Sequence, residues 1–236
     1  MAVVVYDEVS PLELGVACDL FGASSGNAMG GVPWYRLEVC SARATAVPVN
    51  GGFDLRAPHR LGRLPRADTV VVPPTENLAA VPSDVFDALR RAHAAGRRII
   101  SLCTGAFVLA EAGLLDGRRV TTHWMECDHL AARYPAVAVD PGVLYVDDGD
   151  ILSSAGSAAS IDLCLHVVRQ DYGSAIATHL ARQLVVPPQR EGGQAQFIDS
   201  RCPARRRTPC SATRSPGSRS TCTSPSGSTN WPPVRP

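Results

Sequence analysis

RRIISLCTGAFVLAEAGLLDGRRVTTHW, residues 97–124, is the stretch on which the fold turns. The apolar and β-branched run 97–102 reads as a short buried strand and 104–115 as a helix, which leaves Cys103 at the joint. A strand that turns sharply into a helix presents the side chain at the turn, and Gly105 lets the backbone fold tightly behind the thiol. Such a sulfur faces the helix N-terminus, where unpaired N–H groups and the positive dipole end favour thiolate over thiol. Most free cysteines are inert core residues, but Cys103 occupies a nucleophile's position.

Further strands are expected at 2–6, 36–40, 68–72 and 118–122, several separated from the next by amphipathic helical stretches. That alternation predicts an α/β fold with a mostly parallel sheet and helices on both faces. Asn50-Gly51-Gly52 marks a hairpin within 44–55, and Asp147-Asp148-Gly149-Asp150 marks another before 151–154; both read as small excursions from the main sheet. Helices are expected at 83–95 with Gly96 as the stop, at 124–134, at 157–172 with Gly173 as the stop, and at 174–185 before Pro187-Pro188.

The 236 residues suffice for one core of domain size. A net charge of +1 hides a split: the last 36 residues hold seven arginines and no acid, so the body is mildly acidic. The basic residues are all arginine, which suggests GC-rich coding. The start, MAVVVYDEV, has no basic n-region and too short an apolar run for a signal peptide or a membrane span, so no membrane association and a cytoplasmic location are expected. Five of the eight cysteines are scattered through the body without paired spacing, and reduced thiols are the expectation.

A reactive thiol needs a partner that orients it and manages its proton, and two candidates lie at predicted strand ends. Glu13 falls in the first turn of the helix after the first strand; two readings are open for it, a partner of Cys103 or a cap of its own helix, since Ser10-Pro11-Leu12-Glu13 has the form of a capping box. His123 follows the 118–122 strand and is expected at the carboxyl edge of the same sheet, where cysteine chemistry commonly recruits a histidine. His123 and Cys127 have the i, i+4 spacing of a metal pair, but no second pair exists at zinc spacing, so neither a metal nor a cofactor is expected. Cys164 shares an apolar helical face with Ile161, Leu165 and Val168 and reads as core.

The run SLCTGAFVLAEAGLLDGRRVTTHW, with LEL at 12–14 and ILSSAGSAASIDLCLHVVRQDYG downstream, resembles the ThiJ/PfpI superfamily with its class I glutamine amidotransferase-like, flavodoxin-like fold. Continued into VVPPQREGGQAQFI, it resembles more narrowly the N-terminal sensor domain of AraC-type transcriptional regulators, over residues 1–199. The resemblance implies a nucleophile elbow at Cys103, an acidic contact to its sulfur from Glu13, and His123 where the superfamily often has its histidine. It also implies a homodimer and an unidentified small-molecule ligand. Enzymatic relatives include isocyanide hydratases and glyoxalase-like proteins, whereas the regulator branch often keeps the cysteine without demonstrated turnover, which leaves oxidant sensing and metabolite binding as its implied roles. Many enzymatic relatives carry a glycine pair in the loop after the third core strand, where this chain reads Val72-Pro73-Pro74-Thr75. Pro74 has no N–H to offer an oxyanion, which leaves Thr75, Thr104 and Gly105 as the expected ligand-binding positions.

The expected organisation is a domain at 1–189, a linker at 190–200, and a disordered arginine-, serine- and proline-rich tail at 201–236. The regulator branch continues into a helix-turn-helix module; here the tail reads as a frameshifted remnant, with a basic arm on phosphates as the weaker reading. The leading expectation is thus a ligand- or redox-sensing regulator domain without sequence-specific DNA binding of its own. The alternative is a cysteine-dependent hydratase or hydrolase with Cys103 as nucleophile.

Overall fold

Strands β1 (Ala2–Val5), β6 (Thr69–Val72) and β7 (Arg98–Leu102) are apolar or β-branched at nearly every position because both of their faces are covered. The computed structural model describes residues 1–22, 34–190 and 193–194, all within one compact unit, residues 1–199. The tail expected at 201–236 and most of the 190–200 linker lie outside the described residues. With β2 (Glu38–Ser41), β5 (His59–Arg60), β10 (Tyr145–Asp148) and β11 (Ile151–Ser154), these strands form a seven-stranded sheet in the order β10-β11-β7-β6-β1-β2-β5. All pairings are parallel except β10 with β11.

Side chains alternate across this sheet into two cores. Val3, Val5, Ile100, Leu102 and Leu152 pack against α1 (Pro11–Phe21), α5 (Ala159–Tyr172) and α6 (Ser174–Gln183). Ala2, Val4, Val70, Ile99 and Ile151 pack on the other face against α2 (Ser83–Ala94), α3 (Gly105–Glu111) and α4 (Cys127–Arg133). The helix expected at 104–115 stops early at Gly113: its φ of +71° and the bonds Gly113 N–H to Ala110 O and Leu114 N–H to Leu109 O form a Schellman motif. Gly96 and Gly173 end α2 and α5 as expected, also with positive φ.

Two expectations are corrected. Residues 151–154 are no excursion: β11 is an interior strand in parallel register with β7, and only β10 is the antiparallel edge. The 118–122 run does not enter the main sheet. Only β8 (Arg119–Val120) is a strand, paired in a separate two-stranded ribbon with β9 (Ala138–Val139), while Thr121 donates its N–H to the Ser153 hydroxyl at 2.8 Å. β11 already occupies the place beside β7 that the 118–122 run would need. The hairpin at Asn50-Gly51-Gly52 forms as read, joining β3 (Val47–Val49) and β4 (Phe53–Leu55) in their own ribbon. Among the described residues no helix is long and apolar enough to cross a membrane.

Candidate functional site

β7 delivers Cys103 to the carboxyl edge of the sheet and the chain reverses there at once. Cys103 has φ +53°, a strained value for a residue with a Cβ, and it is held from three sides. Its N–H donates to Ser154 O at 3.1 Å, and its carbonyl accepts from the Thr122 hydroxyl at 2.9 Å and from Ala106 N–H at 3.3 Å. Two glycines make room for the elbow. A Cβ on Gly105 would stand 2.3 Å from Val72 O, so α3 can start against the end of β6 only with glycine there. A Cβ on Gly156 would lie 2.2 Å from Cys103 Cβ and 2.4 Å from Sγ, so the β11–α5 turn touches the thiol directly.

Glu13 is 3% exposed, and its capping reading does not describe its side chain. Ser10 makes no side-chain cap bond to the helix; its hydroxyl donates instead to Glu13 Oε2, while Glu13 Oε1 accepts the N–H of Ser157 at 2.9 Å, 144 residues away. Ser157 itself has φ +47°, and the N–H groups of Ser157 and Thr104 both act on the Cys103 sulfur in the direction that favours thiolate. One carboxylate, one thiol and two backbone donors therefore meet at the junction of α1, the elbow and the start of α5.

The thiolate expectation is corrected. Burial, and then the negative charge of Glu13, push the Cys103 thiol up to about 12, against which the Thr104 and Ser157 N–H groups are the smaller effect. The dipole argument omitted desolvation, and α3 is only seven residues long. A negative charge on the Cys103 sulfur would be opposed by the Glu13 carboxylate and favoured by the Thr104 and Ser157 N–H groups.

Cys103, Glu13, His123, Thr75 and Thr104 all line one cavity of about 510 Å³. His123 caps a short turn, its Nδ1 accepting from Met125 N–H at 3.4 Å, and its ring packs against Trp124; no hydrogen bond joins it to Cys103 among the described residues. Thr75 spends its hydroxyl on the backbone, donating to Asp7 O in the loop after β1 and accepting from Asn77 N–H in its own loop, both at 3.1 Å. The Thr104 hydroxyl donates to Thr75 O at 3.3 Å. Thr104 thus faces the sulfur through its backbone N–H, and Gly105 acts by letting the elbow close. Cys127 directs its thiol to the carbonyls of Thr122 and His123, each at 3.5 Å, and Cys164 is fully buried as read.

Sequence reasoning does not single out Gly156, Ser157 or Thr122. The signal for the first two is present: AGS at 155–157 follows a strand and opens a helix, as CTG does at 103–105, but the turn signal at 147–150 sets 151–154 outside the sheet. A second cavity of about 420 Å³ adjoins the first across His123 and Ser157, floored by Trp124, Leu144 and Ala159.

The sequence profile of the DJ-1/PfpI family matches residues 1–170. The chain is 37% identical over 153 residues to the HTH-type transcriptional regulator CdhR of Pseudomonas aeruginosa, covering 64% of this chain and 45% of that protein. It is 33% identical over 146 residues to isonitrile hydratase of Pseudomonas putida, covering 60% of this chain and 63% of that protein. A crystal structure of an AraC family transcriptional regulator from Pseudomonas putida superposes with a TM-score of 0.67 at 24% identity, over 78% of this chain and 97% of that one. The match to CdhR, like that to the regulator ArgR of Pseudomonas aeruginosa, spans less than half of the relative's length.

Proposed function

The chain belongs to the DJ-1/PfpI family, and on that premise we propose that it is the sensing domain of an AraC-type transcriptional regulator, with the Cys103 cavity as its ligand site. The observation that carries this reading is the buried Glu13 carboxylate beside the half-buried Cys103 thiol, both lining a cavity of about 510 Å³, a size suited to a small metabolite. Between the two sensing modes, the geometry favours a ligand over an oxidant. A thiol whose proton is held by burial and an adjacent carboxylate reacts slowly with peroxide, because the thiolate is the reacting species. In this reading residues 1–189 are the sensing domain, 190–200 the linker, and a homodimer the expected assembly.

A second reading, a cysteine-dependent hydratase, is supported by the likeness to isonitrile hydratase. Cys103 would add through sulfur to an electrophilic carbon while its proton passes to Glu13, and water would later release the product and return the proton to sulfur. Pro74 weakens it by removing one backbone donor from the cavity wall.

The deciding experiment sets ligand binding against turnover. Thermal shift of the full chain across a panel of amino acids, amines and carboxylic acids is expected to find a stabilising compound whose effect disappears in Cys103→Ala or Glu13→Gln. N-alkylformamide produced from alkyl isonitriles by the wild type and not by Cys103→Ser would put the enzyme first instead.

A further inference from the structure

The chain that leaves α6 does not simply depart from the domain. It is pinned first by Arg169, which donates to Pro188 O at 2.5 Å, and then by Arg190, whose Nε donates to Asp162 of α5 at 2.8 Å within a two-pronged ion pair. Gly193 follows in a place where a Cβ would stand 1.7 Å from Gly142 O, so no side chain fits. Gln194 is 2% exposed, and its amide Nε2 donates to Thr121 Oγ1 and to Thr122 O, both at 3.1 Å. A long polar side chain is seldom buried unless its bonds are specific.

Thr122 is the link to the site. Its hydroxyl donates to the carbonyl of Cys103, and that carbonyl shares one rigid peptide plane with the N–H of Thr104. The Thr104 N–H is one of the two donors facing Sγ. Rotating that plane turns the donor relative to the sulfur. Gln194, Thr122 and the 103–104 peptide therefore form a continuous series of bonds from the segment beyond α6 to the thiol, with Arg190 and Gln194 also lining the second cavity beside His123.

We propose that Gln194 is a positioning residue for Cys103, and that through it the chemical state of the sulfur and the docking of Arg190, Gly193 and Gln194 on the domain are coupled. As a route for a signal the coupling rests on the sensing role proposed above, but it is measurable without ligand or DNA, so the two fail separately. Coupling is reciprocal: if docking sets the orientation at sulfur, modification at sulfur alters docking. Side-chain relays of this kind change equilibria by about two- to thirty-fold.

The test uses the full chain. Wild type and Cys103→Ser are treated with iodoacetamide, and trypsin cleavage after Arg190 is followed by peptide mass spectrometry, with cleavage after Arg133 as the internal reference. The expected result is a rise of about two- to thirty-fold at Arg190 on alkylation of the wild type, no rise in Cys103→Ser, and an unchanged rate at Arg133. In parallel, Gln194→Ala is expected to shift the pH profile of Cys103 alkylation, which a merely structural glutamine would leave in place while lowering Tm. An unchanged Arg190 rate, an equal rise at Arg133, or a Gln194→Ala profile that coincides with wild type would each overturn the proposal.

Discussion

At the sulfur of Cys103, charge and burial oppose the backbone donors, and one substitution separates them. Glu13→Gln keeps an acceptor for the Ser157 N–H and removes the negative charge. If the ionised carboxylate is what raises the thiol, its loss lowers the thiol pKa. Iodoacetamide alkylation at pH 8 should then quicken by about tenfold for every pH unit by which that pKa falls. Slower alkylation would mean that Glu13 holds the shared proton and donates to a resting thiolate. Little of this was legible in the sequence. CTG after an apolar run announces an elbow, and the positive φ at Cys103 fulfils it, but the energy of the thiol depends on Glu13 and Ser157, 90 and 54 positions away. A capping-box pattern likewise describes only local options, and here the side chain took the distant one.

At the scale of elements, the β11–α5 turn is as important as the β7–α3 turn, although only the second carries a reactive group. Gly156→Ala should cost about 3 kcal/mol, the sum of an overpacked contact with Cys103 and a strained φ of +82°. Gly149→Ala shares the backbone strain at φ +84° but has open space around its Cβ, so it should cost only about 1 kcal/mol. Urea midpoints of the two variants check the difference, and equal losses would remove the steric argument. The sequence disclosed elements that end on glycine far better than it disclosed the place of 118–122 and 151–154. Both of those runs are short and β-branched or apolar, and periodicity alone cannot say which of two neighbours wins the slot beside β7.

Across the whole molecule, a clip far from the site joins three parts of the chain. Arg98 at the start of β7 grips Asp171 near the end of α5 through two bonds of 2.9 and 2.6 Å, and Tyr35, just before β2, donates to the same carboxylate at 2.7 Å. Burial alone would raise the Asp171 pKa, but the bonds from Arg98 and Tyr35 hold it below the usual carboxylate value. A carboxyl depressed on folding contributes stability that is present above its unfolded pKa and is lost as pH falls through the folded one. Solvent screens this exposed site, so Asp171→Asn should cost about 1 kcal/mol at neutral pH and lose its penalty below about pH 4, seen as converging Tm values of variant and wild type. A constant gap between the two across the acid range would count against the assignment. None of this clip was legible in the sequence, because its partners are separated by 73 and 136 positions and no motif links them.

The rims of the main sheet carry a consequence for behaviour at high concentration. One rim is β5, two residues long, and the other is β10, which ends in Asp147 and Asp148. A stub offers too few free backbone groups to template an incoming strand, and charged side chains on a short edge strand disfavour one. Self-association by adding strand to strand is thereby discouraged at both ends of the main sheet, so the folded sheet should resist fibrillar growth from its own rims.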